Sequence, residues 1–529
     1  MAMIPPQQLE SEKSVGTSSL VLLQNVYHAT SRLLHNLLPS PLTRIYRQQQ
    51  RKQQQKWREP PDQSTAKTEW LDGLRGLTSL AVCLAHIVGG THPDWYFAYG
   101  DGPQHSRSWM KLPIIRLIYS GDAAVAIFFL ISGYVLSSRP LQRARRHHVA
   151  LLHSELASSV LRRTGRLLLP TLCASFATML GAQMGTFSCR PPIDDGHLTM
   201  FFVLARSKAS IFDQILSWLR EMATLFRPGA GTDLDTPDLM YGVQFWTIPI
   251  ELGASFVIYL YILALSPLRQ APRLTLLAVS ACYFMAWARW DIALFLAGMF
   301  LADIGIPKDT IRQAQPFNTE LERYNSNRLW PVKSRLLPSR RLVFTCLQLC
   351  LLLGGLFLAS QPTLNAATEP EPWATLNAVV PSSFGPEQVG RFWVAIGAIL
   401  IFYVVERLQF AKWVLTRSLL VDHLGRISFS LYLVHNAVMS SLGAWLLTQL
   451  ASRRVLHQEA HEIADGLTKG TGEWDVGIWV VICIVLLVSF WVADVFQRFI
   501  DRPSVRVVKC MEACLVAQVV DKEEDVEWL

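Results

Sequence analysis

Residues 71–90 read LDGLRGLTSLAVCLAHIVGG, a stretch that is apolar over most of its length. A helix needs about 20 apolar residues to cross the hydrocarbon core of a membrane, and this stretch has that length. Arg75 and His86 interrupt it and are eleven residues apart, close to three whole helical turns. Both side chains therefore project from one face of the helix, about 16 Å apart along its axis. We interpret the stretch as a membrane-spanning helix that carries a polar stripe.

Apolar segments of similar length follow along the rest of the chain. They predict ten membrane-spanning helices, over about residues 71–90, 114–137, 161–184, 244–265, 273–289, 291–306, 341–360, 391–407, 424–449 and 476–499. The composition agrees, because 51% of the 529 residues are hydrophobic and 17% are charged, whereas a soluble domain carries about 25% charged residues. We therefore expect an all-α integral membrane protein with its helices in one bundle, and exclude a disordered chain.

The positive charge lies mostly in loops between the apolar segments, within a formal net charge of +8. Residues 138–163 and 307–340 are rich in arginine and lysine, whereas residues 361–390 contain neither. Because arginine and lysine accumulate in cytoplasmic loops, this pattern predicts that both chain termini are cytoplasmic. We expect a multi-pass protein of an endomembrane or the plasma membrane, without a nucleic-acid partner. The longest outer segment contains an amphipathic stretch at Ile211–Phe226.

Besides Arg75, three ionisable residues within apolar segments are candidates for function. They are His86 in the first helix, Glu251 early in the fourth helix and His435 in the ninth. An ionisable side chain is costly in hydrocarbon, so each of them needs a partner or a function. A histidine that is satisfied inside the core is the simpler explanation for each imidazole taken alone. Together they favour a polar reaction site inside the bundle.

Two arginines mark the start of the third predicted helix. Arg163 and Arg166 are three residues apart and therefore share one face. Their planar guanidinium groups suit phosphate oxygens, so the pair predicts a phosphate-binding site at the inner mouth of the bundle. The alternative is that both arginines only anchor the helix at the cytoplasmic surface.

Small and capping residues predict close packing around these helices. Asp72 is placed to cap the first helix, because its side chain can accept a hydrogen bond from a free backbone N–H. Gly73 and Gly76 leave that helix thin on one side, which allows a neighbouring helix to approach closely. Ser132 and Gly133 form a similar small, hydrogen-bonding break in the bulky second helix.

These segments together resemble the acyltransferase type 3 family of integral-membrane acyltransferases, and fungal members in particular. The resemblance depends on five motifs in family order: LDGLRG at 71–76 with His86, FFLISGY at 128–134, Arg163-x-x-Arg166, Trp246 with Glu251, and SFSLYLVH at 428–435. It implies a transmembrane acyltransferase domain at residues 68–502. Residues 1–67 would form a polar cytoplasmic N-terminal extension, and residues 503–529 a cytoplasmic C-terminal tail.

The resemblance implies transfer of an acyl group, usually acetyl, from acetyl-CoA or another acyl-CoA to a hydroxyl group. His86 would act as the general base, since an imidazole titrates near neutral pH. Arg75 would organise the donor or the stripe that leads to His86, and Glu251 and His435 would orient an imidazole or bind the acceptor. The donor would be bound by Arg163, Arg166 and Trp246. We expect no bound cofactor and no metal, and as partners an acyl-CoA, a hydroxyl-bearing metabolite or glycan and the lipid bilayer.

Two other classes of protein share part of this pattern. A transporter or flippase also combines about ten helices with buried charges. It would show inverted repeats, or transport that consumes no acyl-CoA. A non-catalytic membrane scaffold would tolerate the loss of His86.

Overall fold

The computed structural model describes residues 69–102, 107–145, 149–188, 205–227, 239–306, 338–362, 370–386, 388–450 and 471–515. Across these ranges the regular structure is helical, with no β-strand. The predicted all-α class is therefore confirmed. The predicted extension 1–67 and the two chain termini lie outside the described residues.

The main helices are α1 (Glu69–Thr91), α2 (Gly121–Arg145), α3 (Val149–Gln183), α4 (Ile211–Leu225), α5 (Thr247–Leu265), α6 (Gln270–Ala286), α7 (Trp290–Gly305), α8 (Pro338–Ala359), α9 (Val389–Arg407), α10 (Gln409–Arg417), α11 (Leu419–Val438), α12 (Thr471–Phe496) and α13 (Arg502–Leu515).

Six helical segments in the described part of the chain are long and apolar enough to cross a membrane. They are 69–91, 121–145, 152–183, 243–265, 389–407 and 476–515. Each of the other predicted segments also contains a helix, but α6 and α7 have only 17 and 16 residues. The count of ten crossings therefore stays a prediction. The second predicted segment starts later than expected, because residues 115–119 form a separate 3₁₀ turn before α2.

Large apolar side chains are exposed on the outer surface of these helices, and a number of polar side chains are buried within a mainly apolar core. Leu260, Val279, Val480 and Leu487 are large side chains that are 52–68% exposed on helix surfaces. By contrast, serine, threonine and charged side chains are buried between helices. Exposed apolar helix surfaces of this kind are typical of a bundle whose outer surface contacts lipid.

Two glycine crossings hold the central helices together. A Cβ atom on Gly76 of α1 would lie 2.5 Å from the backbone nitrogen of Gly425 in α11. A Cβ atom on Gly133 of α2 would lie 2.1 Å from the backbone oxygen of Phe295 in α7, and one on Gly298 would lie 2.3 Å from the Leu130 oxygen. Only glycine permits this backbone-to-backbone approach. The predicted packing roles of Gly76 and Gly133 agree with these contacts.

The start of α1 differs from the prediction at Asp72. The helix already includes Glu69, so Asp72 lies inside its first turn and is not the N-cap residue. Asp72 instead contacts Arg75, with 3.7 Å between Oδ1 and Nη1. Gly73 faces α10, because a Cβ atom there would lie 2.3 Å from the backbone oxygen of Leu415. The beginning of α1 is therefore fixed by packing against α10 and α11.

A compact segment between α1 and α2 covers the Thr91 end of α1. Its buried Lys111 donates to Asp94 at 3.0 Å, and its Tyr96 hydroxyl donates to the Ala85 carbonyl at 2.7 Å. At the opposite end of the bundle, α13 packs along α3, where Val508 contacts Gly165 and Glu512 pairs with Arg162. Residues 503–515 of the predicted C-terminal tail thus belong to a packed helix.

Candidate active site

A cavity lies between five of the central helices, α1, α2, α3, α5 and α11. Its cavity volume is about 90 Å³, and it is partly open to the outside. One part of its wall is apolar and aromatic, and the other part is polar and charged. The apolar wall consists of Val125, Phe128, Phe129, Leu167, Ile248 and Phe429. The polar wall consists of Arg75, Ser132, Arg163, Arg166, Thr247, Glu251, Ser428 and Tyr432.

Arg163 and Glu251 form an ion pair in the polar wall. Arg163 Nη2 donates to Glu251 Oε1 at 2.5 Å, and the Ser132 hydroxyl donates to the same oxygen at 2.8 Å. Arg163 Nε also donates to the Ser255 hydroxyl at 3.1 Å. The two charged side chains are only 14% and 18% exposed, so the pair depends on these additional hydrogen bonds. The network joins α2, α3 and α5 and neutralises the Glu251 carboxylate.

Arg166 and Arg75 leave the cavity with a positive charge. Arg166 is exposed and forms no hydrogen bond or ion pair with a described residue, although Asp501 lies within its electrostatic range. Among the described residues, Arg75 forms one ion pair, at 3.7 Å, with Asp72, whose side chain is 64% exposed. Because Arg163 and Glu251 cancel, the cavity suits an anionic ligand. The two predicted donor arginines thus differ: the structure engages Arg163 and leaves Arg166 accessible.

The two histidines of the predicted site meet one helical turn beyond the cavity. The ring centroids of His86 on α1 and His435 on α11 are 4.9 Å apart, in an edge-on arrangement. Neither imidazole lines the cavity. Tyr432 stands between the cavity and the pair, with its ring 6.2 Å from the His435 ring and 6.5 Å from the Phe128 ring.

Two hydrogen bonds hold the Tyr432 hydroxyl in place. Its hydroxyl lies 2.5 Å from the Thr247 hydroxyl and donates to the Gln244 carbonyl. The Gln244 amide in turn donates to the Leu433 carbonyl at 2.9 Å. The start of α5 is thereby fastened to α11. Tyr432 therefore lies next to both the cavity and His435.

Hydrogen bonds orient both imidazoles. His435 Nδ1 lies 2.9 Å from the Leu431 carbonyl oxygen, and its Nε2 atom is buried with no hydrogen-bond partner among the described residues. His86 Nδ1 lies 3.5 Å from the Asn436 amide nitrogen. The Ser440 hydroxyl donates to the oxygen of the same amide at 3.1 Å. Sequence reasoning assigned no role to Asn436 or Ser440, although an amide and a hydroxyl in an apolar helix are a signal.

Trp246 lies outside the cavity, apart from the predicted donor-binding residues. The Arg391 guanidinium lies 5.4 Å from its ring centroid and 5.2 Å from that of Trp290. Arg391 also approaches Asp122 at 3.7 Å. The indole therefore forms part of a cation–π cluster that joins α2, α7 and α9.

The structure shows a charged cavity beside a histidine pair in a helical membrane bundle. The comparison with known families then defines the class of this protein. The chain belongs to the acyltransferase 3 family, whose acyltransferase domain model matches residues 68–498. It is therefore an acyltransferase and a membrane protein. The resemblance that was inferred from the five motifs is confirmed.

Three fungal relatives are similar over most of their length. An O-acetyltransferase of Phomopsis amygdali, PaAT-1, is 27% identical over 458 residues, which cover 84% of each chain. The acyltransferase clz18 of Cochliobolus lunatus is 26% identical, over 88% of this chain and 99% of the relative. The acyltransferase R4 of a Phoma species is 25% identical, over 86% of this chain and 97% of the relative. No solved structure matches the chain significantly.

Proposed function

We propose that this acyltransferase moves an acetyl group from acetyl-CoA to a hydroxyl group of a small-molecule metabolite or a glycan. The observation that carries the proposal is the cationic cavity with a pair of buried imidazoles one helical turn beyond it. In the reaction, the hydroxyl oxygen attacks the thioester carbonyl carbon, the carbon–sulfur bond breaks, and coenzyme A leaves as the free thiol. The hydroxyl proton has to be removed, which requires a base close to the reacting carbon.

The cavity has the features that an acyl-CoA donor requires. Arg166 and Arg75 present positive charge to phosphate groups, for which a guanidinium is well suited. The aromatic wall at Phe128, Phe129 and Phe429 can cover the less polar arm of the donor. Arg163 contributes indirectly, because its ion pair with Glu251 fixes α3 and α5 on either side of the cavity.

The histidine pair supplies the base in this proposal. A neutral imidazole is a good proton acceptor near neutral pH. The thioester would reach His86 and His435 past Tyr432, whose ring separates them from the cavity. A hydroxyl-bearing acceptor fits this proposal, and the name of one relative, an O-acetyltransferase, supports it. We further propose ten membrane crossings with both termini cytoplasmic, in an endomembrane or the plasma membrane.

The proposal is tested with membranes that contain the full-length protein. Labelled acetyl-CoA is the donor, and a metabolite extract from a strain that lacks the gene is the pool of acceptors, since that strain accumulates the unacetylated compound. We expect label to enter one product, and the deletion strain to contain a compound lighter by one acetyl group. Absence of transfer by correctly inserted protein would contradict the proposal. Export of that compound without consumption of acetyl-CoA would instead indicate a transporter.

A further inference from the structure

The hydrogen bond of His435 determines which of its nitrogens carries a proton. A carbonyl oxygen can only accept a hydrogen bond, so the 2.9 Å contact with Leu431 requires a proton on Nδ1. In the neutral ring, the lone pair then lies on Nε2. That atom is buried, and no described residue donates to it. His435 is 1% exposed, so its lone pair is kept from bulk water.

The Asn436 amide gives His86 the opposite arrangement. The amide nitrogen, which can only donate, faces His86 Nδ1 at 3.5 Å. Nδ1 is therefore the acceptor, and the proton of the neutral His86 ring lies on Nε2. The Ser440 hydroxyl donates to the amide oxygen at 3.1 Å and keeps the amide in this orientation. Ser440 lies in the π turn Met439–Gly443, a type of local widening that is frequent at functional sites.

We infer that the pair is divided in function: His435 is the general base, His86 is a neutral hydrogen-bond donor to the reacting carbonyl oxygen, and Asn436 is the positioning residue that fixes this role of His86. The inference rests on the proposed acetyl transfer and differs from the sequence-based assignment of His86 as the base. It assigns a lone pair to one ring and an N–H group to the other, and the centroids of the two rings are 4.9 Å apart.

The division accounts for each proton in the reaction. His435 Nε2 takes the proton of the acceptor hydroxyl while the hydroxyl oxygen bonds to the thioester carbon. Negative charge then develops on the carbonyl oxygen, where the N–H group of His86 donates a hydrogen bond and keeps its proton. When the carbon–sulfur bond breaks, His435 returns its proton to the sulfur of coenzyme A. The products are the acetyl ester and the free thiol, and both rings are again neutral.

Asn436→Asp separates this inference from the assignment of His86 as the base. A carboxylate at this position only accepts, so it would hold the His86 proton on Nδ1 and move the lone pair to Nε2. We expect kcat to fall about 10²- to 10³-fold, as on removal of an oxyanion donor. The KM for acetyl-CoA should stay unchanged. Asn436→Ala, which removes the donor without imposing the opposite tautomer, should lose less activity.

The order of activities decides the question. Wild type above Asn436→Ala above Asn436→Asp supports the inference. Asn436→Asp at or above wild type would overturn it, because the variant would then strengthen His86 as a base. In a His86→Gln background, Asn436→Asp should add little further loss if Asn436 acts through His86. Equal losses in Asn436→Ala and Asn436→Asp, with weaker acetyl-CoA binding, would indicate a structural role and would also overturn it.

Two further measurements keep the result interpretable. Gln244→Glu makes the same amide-to-acid change in the neighbouring segment before α5. It shows how much activity is lost when an acid is buried away from the histidines. His435→Gln should lower kcat about 10²- to 10⁴-fold, and activity near that of wild type would overturn the inference even if Asn436→Asp fails to fold. Lack of transfer by wild-type protein would instead contradict the proposed function, whatever the variants do.

Discussion

The guanidinium group of Arg163 and the carboxylate of Glu251 meet at 2.5 Å between α3 and α5. Their charges are largely shielded from solvent and are satisfied by Ser132 and Ser255. This relationship changes the interpretation of both residues. Neither is an isolated charge that awaits a substrate, and together they determine how closely two walls of the cavity approach each other.

We predict that replacing one partner of this ion pair destabilises the protein more than replacing both partners. Arg163→Met or Glu251→Met leaves a buried charge without its partner, which costs about 3–5 kcal/mol. The double variant should be less destabilised than the sum of the single variants, because no unpaired charge remains. Thermal unfolding of purified protein in detergent measures this. Additive losses would show that the two side chains do not depend on each other.

Arg166 is the arginine that we expect to bind the donor. Arg166→Gln should raise the KM for acetyl-CoA about 10- to 100-fold, which corresponds to the loss of a hydrogen bond to a charged group. Arg162→Gln is the matched control, since Arg162 is 46% exposed on the same helix and pairs with Glu512. Steady-state kinetics with varied acetyl-CoA compare the two. Equal effects would mean that Arg166 contributes only general positive charge.

The crossing of α2 and α7 should not tolerate a side chain at Gly133. Its Cβ atom would overlap the Phe295 carbonyl at 2.1 Å, and this backbone atom cannot move away cheaply. We expect Gly133→Ala to destabilise the protein by about 1–3 kcal/mol. Gly253→Ala in α5 has no atom within 4 Å of the new Cβ and should be neutral or slightly stabilising. Similar melting temperatures for both variants would contradict this packing.

Glu221 should make stability depend on pH. Burial raises its pKa to about 7, although backbone N–H groups of Tyr241 and Met240 donate to it and oppose the rise. Because the folded-state pKa is above that of the unfolded chain, the stability that Glu221 contributes falls as the pH rises from about 4.5 to about 7. Glu221→Gln removes this titration.

The measurement is the melting temperature of wild type and Glu221→Gln at pH 5 and pH 8. We expect the wild type to lose about 2–4 °C relative to the variant between these values. A constant difference across this range would show that the carboxyl group does not titrate there.

The sequence was sufficient to locate most of the helices and to single out candidate site residues. Apolar runs located the helical segments, and the cost of ionisable groups in hydrocarbon identified Glu251 and both histidines. The same reasoning identified the amphipathic helix α4, where the structure has Ile211–Leu225. These features depend on the local sequence, which is why a pattern along the chain predicts them.

The partners within the site could not be predicted in this way. Arg163 meets a carboxylate 88 residues further along the chain, and His86 meets an amide 350 residues away. Such pairings depend on which helices become neighbours and at what angle. Trp246 shows the same limit, because its place beside Arg391 depends on the packing of α9 against the start of α5.

The contact between Gly76 and Gly425 has a consequence for the histidines. His86 follows Gly76 by ten residues on α1, and His435 follows Gly425 by ten residues on α11. Both imidazoles therefore lie about 15 Å along their helices from the same point of closest approach. A small change of the crossing angle there becomes a displacement of about 1 Å between the rings, enough to cost about 100-fold in rate. An inhibitor that separates the helices at these glycines would thus inactivate the enzyme by moving the two imidazoles apart.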